Sequence, residues 1–179
     1  MESHEEKMTR VRGAYRAAHD RFLTRLREAS DPDVHRPRGD GGWSAAQIGW
    51  HVAAVDSSFA SVLTGEVPAA KPLEPGTQAR NWTDIVAAMP EKLDAGKRVQ
   101  PPADVRRDEV IAALQAAAAK LDAALAALTE DRAAGLAITH PVIGVVALGQ
   151  IGDWATAHVI RHNAQAKRVL GEADAVSGR

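Results

Sequence analysis

Four stretches of the chain carry apolar side chains at three- and four-residue steps, and no other feature limits the fold as much. A stripe of that period is buried only against another element, so the chain must pack helix on helix. The first stretch, Thr9 to Ala29, presents Val11, Tyr15, Ala18, Phe22 and Leu26 with Arg, Asp and Glu between them. It stops at "DPD", and "HRPRGDGGW" reads as loop. The second has the clearest start signal: in "WSAAQI", Ser44 can cap, Gln47 can complete a capping box and Trp43 can pack onto Ile48. Its stripe is Ile48, Val52, Val55, Phe59 and Val62, ending near Gly65.

From Glu66 to Asp104 the period weakens and six prolines appear, so this segment reads as a long crossover. A short helix from Trp82 to Ala88 fits inside it, with Trp82, Ile85 and Val86 available to dock. The third stretch, Arg107 to Leu128, presents Val110, Leu114, Ala118, Leu121, Leu125 and Leu128, and its "AAAA" run favours close helix contact. The segment "THPVIG" reads as a second loop. The fourth stretch runs from Ala147 to Leu170, with Gly171 as its stop. The expected fold is all-α: a four-helix bundle with one long crossover between the second and third long helices. One domain covers 1–179, with flexible tails at 1–8 and 172–179.

Bulk properties exclude several functions. The chain is 45% hydrophobic but only 4% aromatic, which suits helices better than strands. A net charge of −1 gives no basic field for nucleic acid and no polybasic membrane anchor. Cysteine is absent, so there is no disulfide, no thiolate nucleophile and no cysteine-based zinc site. The charged start "MESHEEKMTR" lacks a signal-peptide core, and no apolar run reaches membrane-spanning length. A soluble, cytoplasmic protein is expected.

Chemistry concentrates in the histidines, of which there are seven. His4 lies in the charged arm and reads as solvated; His19 reads as a residue at the edge of the first apolar stripe; His35 has no partner in sequence. His51 joins the stripe of the second helix, where a lone histidine is more often a core residue than a ligand. His158 and His162, in "DWATAHVIRHNAQAKRVL", share one helix face with Ile151, Trp154 and Val169. Their spacing lets both rings reach one point, although Val159 stands where a zinc protease needs Glu. Two buried neutral imidazoles each need a partner, at a cost of about 1–3 kcal/mol apiece if left unpaired. A divalent metal satisfies both, and His51 can supply a third nitrogen.

Three blocks, "GWSAAQIGWHVAAVD", "HPVIGVVALGQ" and "HVIRHNAQ", resemble the DinB/YfiT-like superfamily of small metal-binding helical proteins, which is distinct from the DNA polymerase of similar name. The matching elements are Trp43-Ser44, His51, His140-Pro141 with Gly144, His158, His162 and Gln165. The resemblance implies an up-down-down-up bundle, often a homodimer, and one divalent metal, typically zinc or nickel, on His51, His158 and His162. It also implies, for the members with known activity, thiol S-transferases that use bacillithiol and a mycothiol-dependent isomerase; many members have no known activity. Gln165, one turn beyond His162, can orient a ligand or serve a helix interface. Trp154 can wall a pocket or fill the core, His140 can stand at a pocket mouth or serve the turn, and Arg161 reads as a surface residue.

The leading expectation is a metal-dependent thiol S-transferase that takes a low-molecular-weight thiol and an electrophilic small molecule. Because the chain has no cysteine, the thiol must be a cosubstrate. Asp56, five residues past His51, reads as facing partly away, which leaves no clear general base and favours thiolate chemistry over metal-dependent hydrolysis. A non-catalytic metal or small-ligand binding protein, and histidines serving only as core residues, are the remaining alternatives.

Overall fold

The computed structural model describes residues 2–171 except 40, 75, 78–80, 82, 84, 85, 87–94 and 142. Helix dominates: α1 (His4–Glu28), α2 (Asp31–His35), α3 (Ala45–Thr64), α4 (Arg107–Ala126), α5 (Glu130–Gly135) and α6 (Ile151–Val169). The expectation of an all-helical chain needs one correction. Strands β1 (Lys71–Pro72), β2 (Leu136–His140) and β3 (Gly144–Ala147) form a small antiparallel sheet in that order.

Helix starts follow local capping chemistry. α3 opens as read from sequence: the Gln47 amide donates to Ser44 Oγ (3.3 Å) and the Ser44 amide to Gln47 Oε1 (3.0 Å). The same device starts α1 five residues earlier than its apolar period suggested. Ser3 and Glu6 form a second capping box there, and Glu5 and Glu6 suit the positive end of the helix dipole. Residues 4–8 are therefore helix rather than flexible tail, and Met8 is buried. The expected tail at 172–179 lies outside the described residues. Gly171 closes α6 in the left-handed region (φ 70°), which a residue with a Cβ adopts at a cost.

The four long helices pack through the predicted stripes. Val11, Tyr15, Ala18, Phe22 and Leu26 of α1 are all buried, as are Val110, Leu114, Leu121 and Leu125 of α4. On α3 the buried face is wider than predicted. Val55 and Val62 are only half-buried, whereas Asp56 and Leu63 are enclosed, because α3 packs against both α4 and α6. A Cβ on Gly49, early in α3, would meet Val110 Cγ1 at 2.7 Å, so α3 and α4 meet at their N-terminal ends. Lys120 of α4 reaches Ser61 of α3, so the two run in the same direction. Gly152, early in α6, faces Val11 of α1, and Arg25 of α1 donates to Asn163 of α6, so these two are also parallel. A two-pronged ion pair from Arg12 to Asp122 ties α1 to α4 (3.0 and 2.7 Å).

The segment read as the loop "THPVIG" is instead the turn of the β2–β3 hairpin. His140 pairs with Gly144, and Gly144 takes a φ of 80°. Ile138, Thr139, Val145 and Val146 flank the turn, a strand signal too short to stand out beside the long helical periods. It also shifts the start of the last helix from Ala147 to Ile151, after a 3-10 turn at Leu148–Gln150. The crossover returns through a 3-10 turn at Lys97–Val99, and its end is held to α3 where Gln47 Nε2 donates to the carbonyls of Pro102 and Ala103. The helix expected at Trp82 to Ala88 lies mostly outside the described residues; Val86, expected to dock, is exposed.

Candidate metal centre

α3 and α6 run antiparallel, which brings the first turns of one against the later turns of the other. His51 of α3 thereby meets His158 and His162 of α6, and one ligand atom from each lies within 4.8 Å of the others. His162 meets both other rings edge to face, with centroids 4.8 Å apart for His51–His162 and 4.4 Å for His158–His162.

Two of the three imidazoles are aimed by their outer nitrogens. His51 Nδ1 lies 2.7 Å from the Val99 carbonyl, which can only accept, so the proton is on Nδ1 and the Nε2 lone pair faces inward. His162 Nδ1 lies 2.8 Å from Gln165 Oε1, which directs its Nε2 inward in the same way. Gln165 thus holds a cluster histidine rather than only a helix interface. The Val99 carbonyl left no mark in the sequence, because a backbone acceptor in a crossover has no residue-type signature.

Electrostatics keep the cluster neutral. Burial lowers the pKa of His51, and it lowers that of His158 well below the ordinary range, with His162 and His51 adding repulsion. Burial and the nearby His51 bring His162 down to about 4. At neutral pH all three therefore carry lone pairs available to a cation.

The donor set fits a divalent metal. His51 Nε2 and His158 Nε2 are 3.2 Å apart, close to the separation of about 3.3 Å expected for two imidazole nitrogens sharing one tetrahedral zinc. Since His51 has its proton on Nδ1, the contact is a hydrogen bond when His158 is protonated on Nε2. A cation between them would take both lone pairs and leave the His158 proton on Nδ1. That nitrogen is shut off from solvent and has no hydrogen-bond partner among the described residues.

The cluster opens onto a cavity of about 290 Å³ whose walls include Trp43, Phe59, Ile143 and Trp154. Trp43 lies against the His51 ring at 5.0 Å, and Trp154 packs between Phe59 (4.7 Å) and His140 (5.3 Å, perpendicular). Trp154 is therefore both core and wall. His140 likewise lines the cavity while its Nδ1 accepts from the Ile143 amide (3.3 Å) to close the hairpin turn. Burial lowers its pKa, so it is neutral with its proton on Nε2. Arg161, read from sequence as surface, is exposed but stands on the cavity rim. No Asp or Glu lines the cavity among the described residues.

Four further expectations change. His19 is enclosed rather than at a boundary, and its Nε2 lies 2.6 Å from Asp56 Oδ2. Asp56 does not face partly away: it is fully buried and also accepts from the Tyr15 hydroxyl (2.8 Å). Burial raises the pKa of both Asp56 and Tyr15. Sequence reasoning missed this layer because its members come from two helices, although Tyr15 and His19 are one turn apart on α1. His4 is not merely solvated; its Nε2 is 2.7 Å from the Leu128 carbonyl. His35, without a sequence partner, bonds the Asp31 carbonyl of its own short helix (2.8 Å). No helix among the described residues is long and apolar enough to cross a membrane.

Comparison with known proteins gives one family. The family model described as the DinB superfamily matches residues 14–166, a span that contains all three clustered histidines, Gln165 and the Tyr15–His19–Asp56 layer. No curated protein and no solved structure matches the chain.

Proposed function

The chain belongs to the DinB superfamily, and from that premise we propose a metal-dependent thiol S-transferase acting at His51, His158 and His162 with a low-molecular-weight thiol as cosubstrate. The observation that carries this reading is the convergence of three neutral imidazoles on the edge of an apolar cavity. Three nitrogen ligands leave a further coordination position for a small molecule. A divalent ion held there, zinc or nickel, supplies the positive centre that lowers the pKa of a thiol placed beside it. Trp43, Phe59 and Trp154 exclude water from the cavity and take up the apolar body of an electrophile. Arg161 on the rim can meet an anionic end of either substrate. The sulfur comes from solution, since the chain has no cysteine.

The proposal includes the up-down-down-up four-helix bundle as the scaffold. Parallel α1 and α6, and parallel α3 and α4 running the other way, support it. It further takes 1–179 as one domain, a cytoplasmic setting and a homodimer. Hydrolysis by a bound water fits less well. It is helped by a base near the open position, and His140, the neutral titratable neighbour in the cavity, carries its proton on the nitrogen not used by the turn.

Elemental analysis of purified protein tests the site: about one zinc or nickel per chain is expected, with loss in His158→Ala. Equal metal content in that variant would sink the proposal. Conjugation of several thiols to a generic electrophile tests the reaction. Ester or amide cleavage with no thiol turnover would overturn the transferase in favour of a hydrolase.

A further inference from the structure

Behind the histidine cluster lies a second buried polar layer that the proposed reaction does not use. Asp56 Oδ2 accepts from the Tyr15 hydroxyl and lies 2.6 Å from His19 Nε2, and all three residues are enclosed. Three buried atoms have no hydrogen-bond partner among the described residues: Asp56 Oδ1, His19 Nδ1 and His158 Nδ1. They belong to α3, α1 and α6, and the helix pairing puts them at one level. Val11 faces Gly152 and Arg25 reaches Asn163, so His19 stands beside the turn that carries His158. Phe59 packs against Trp154 while His51 meets His158 and His162, so Asp56 falls in the same layer.

We propose that one buried water joins His158 Nδ1, Asp56 Oδ1 and His19 Nδ1, and that Asp56 is thereby the positioning residue of His158. The inference rests on His158 being a metal ligand. Donors and acceptors balance around a single water. With Nε2 given to the ion, His158 Nδ1 carries a hydrogen and donates. Asp56 Oδ1 accepts, and His19 Nδ1 accepts because its Nε2–H is given to Asp56. One donor takes one of the two lone pairs of the water, the two acceptors take both of its hydrogens, and three partners are the usual number for a buried water. His51 and His162 already have the Val99 carbonyl and Gln165 behind them. The water and Asp56 complete the set, so each ligand imidazole has an acceptor on its outer nitrogen. Tyr15 and His19 in turn fix the carboxylate, which makes the α1 layer part of the support of the metal site.

Two measurements decide it. Crystals of the wild-type chain loaded with Co(II) should show an ordered water within about 3.2 Å of all three atoms; a dry layer around a bound ion would overturn the bridge. In solution, Co(II) affinity is measured by chelator competition, together with the visible absorption of the ion. Asp56→Asn should weaken affinity about 10–100-fold and shift the spectrum. Leu121→Ala, a core change on α4, should lower the melting temperature and leave affinity and spectrum unchanged. Wild-type affinity and spectrum in Asp56→Asn, or an equal loss in Leu121→Ala, would refute the positioning role. If Asp56→Asn does not fold, the crystallographic arm still decides. Failure of the wild-type chain to bind Co(II) would instead overturn the proposed metal function, and the bridge that rests on it.

Discussion

Acid should strip stability from the metal-free protein in a window that the histidine cluster sets. His162 titrates at about 4 in the folded chain against an ordinary 6.5. The unfolded chain therefore takes up the proton first as pH falls, and the folded state loses ground from about pH 6.5 down to about pH 4. Over the whole window this difference is worth about 3 kcal/mol. Between pH 7 and pH 5 the His162 share alone is about 2 kcal/mol, and His158, lowered in the same direction by burial, adds to it. With a urea slope of about 2 kcal/mol/M, the unfolding midpoint should move down by about 1 M or more. Urea titrations followed by far-ultraviolet circular dichroism at the two pH values read this directly. His162→Gln, which keeps a polar group and removes the titration, should recover much of the loss. Equal midpoints for the wild-type chain at pH 7 and pH 5, or an undiminished pH dependence in His162→Gln, would refute the account of a neutral buried cluster.

The remaining expectations concern single contacts. Gln165→Ala removes the acceptor that holds His162 Nδ1 and should weaken metal binding about 10–100-fold with helicity unchanged, as chelator competition would show; unaltered affinity would reduce Gln165 to a packing residue. Gly152→Ala places a Cβ 2.4 Å from Val11 Cγ1 and 3.1 Å from Leu125 Cδ2, and should cost about 1–3 kcal/mol in a thermal melt despite the better helix propensity of alanine. A more stable variant would show that α1 and α6 can separate at that point. Ser44→Ala breaks the capping box of α3 and should cost about 1 kcal/mol, read by the same melt. Metal at about a hundred times its Kd should raise the stability of the wild-type chain by about 2.7 kcal/mol and leave His51→Ala unmoved, by denaturant titration.

The long helices were legible because their signals are local. Tyr15, Phe22 and Leu26 follow one another at the helical period, and Ser44 and Gln47 form their capping box within a single turn. His158 and His162 share a face for the same reason, so a chelating pair could be read directly from "HVIRH". The hairpin was missed although its residues favour strands, since four or five residues per strand compete poorly with helical periods several turns long. The apolar period alone starts α1 too late, because its first turn is charged and held by capping, not by an apolar stripe.

What the residue order settles, then, is which faces are apolar, where helices begin and which histidines lie on the faces to be buried. Which face meets which was settled by packing. The antiparallel contact of α3 with α6 is what brings His51 to His158 and His162 from more than a hundred residues away. The return of the crossover is what sets the Val99 carbonyl behind His51, and the approach of α1 is what encloses His19 with Asp56. Periodicity is a property of one segment and can be read from it. A hydrogen bond between segments depends on the relative position of two surfaces, which no stretch of either one contains.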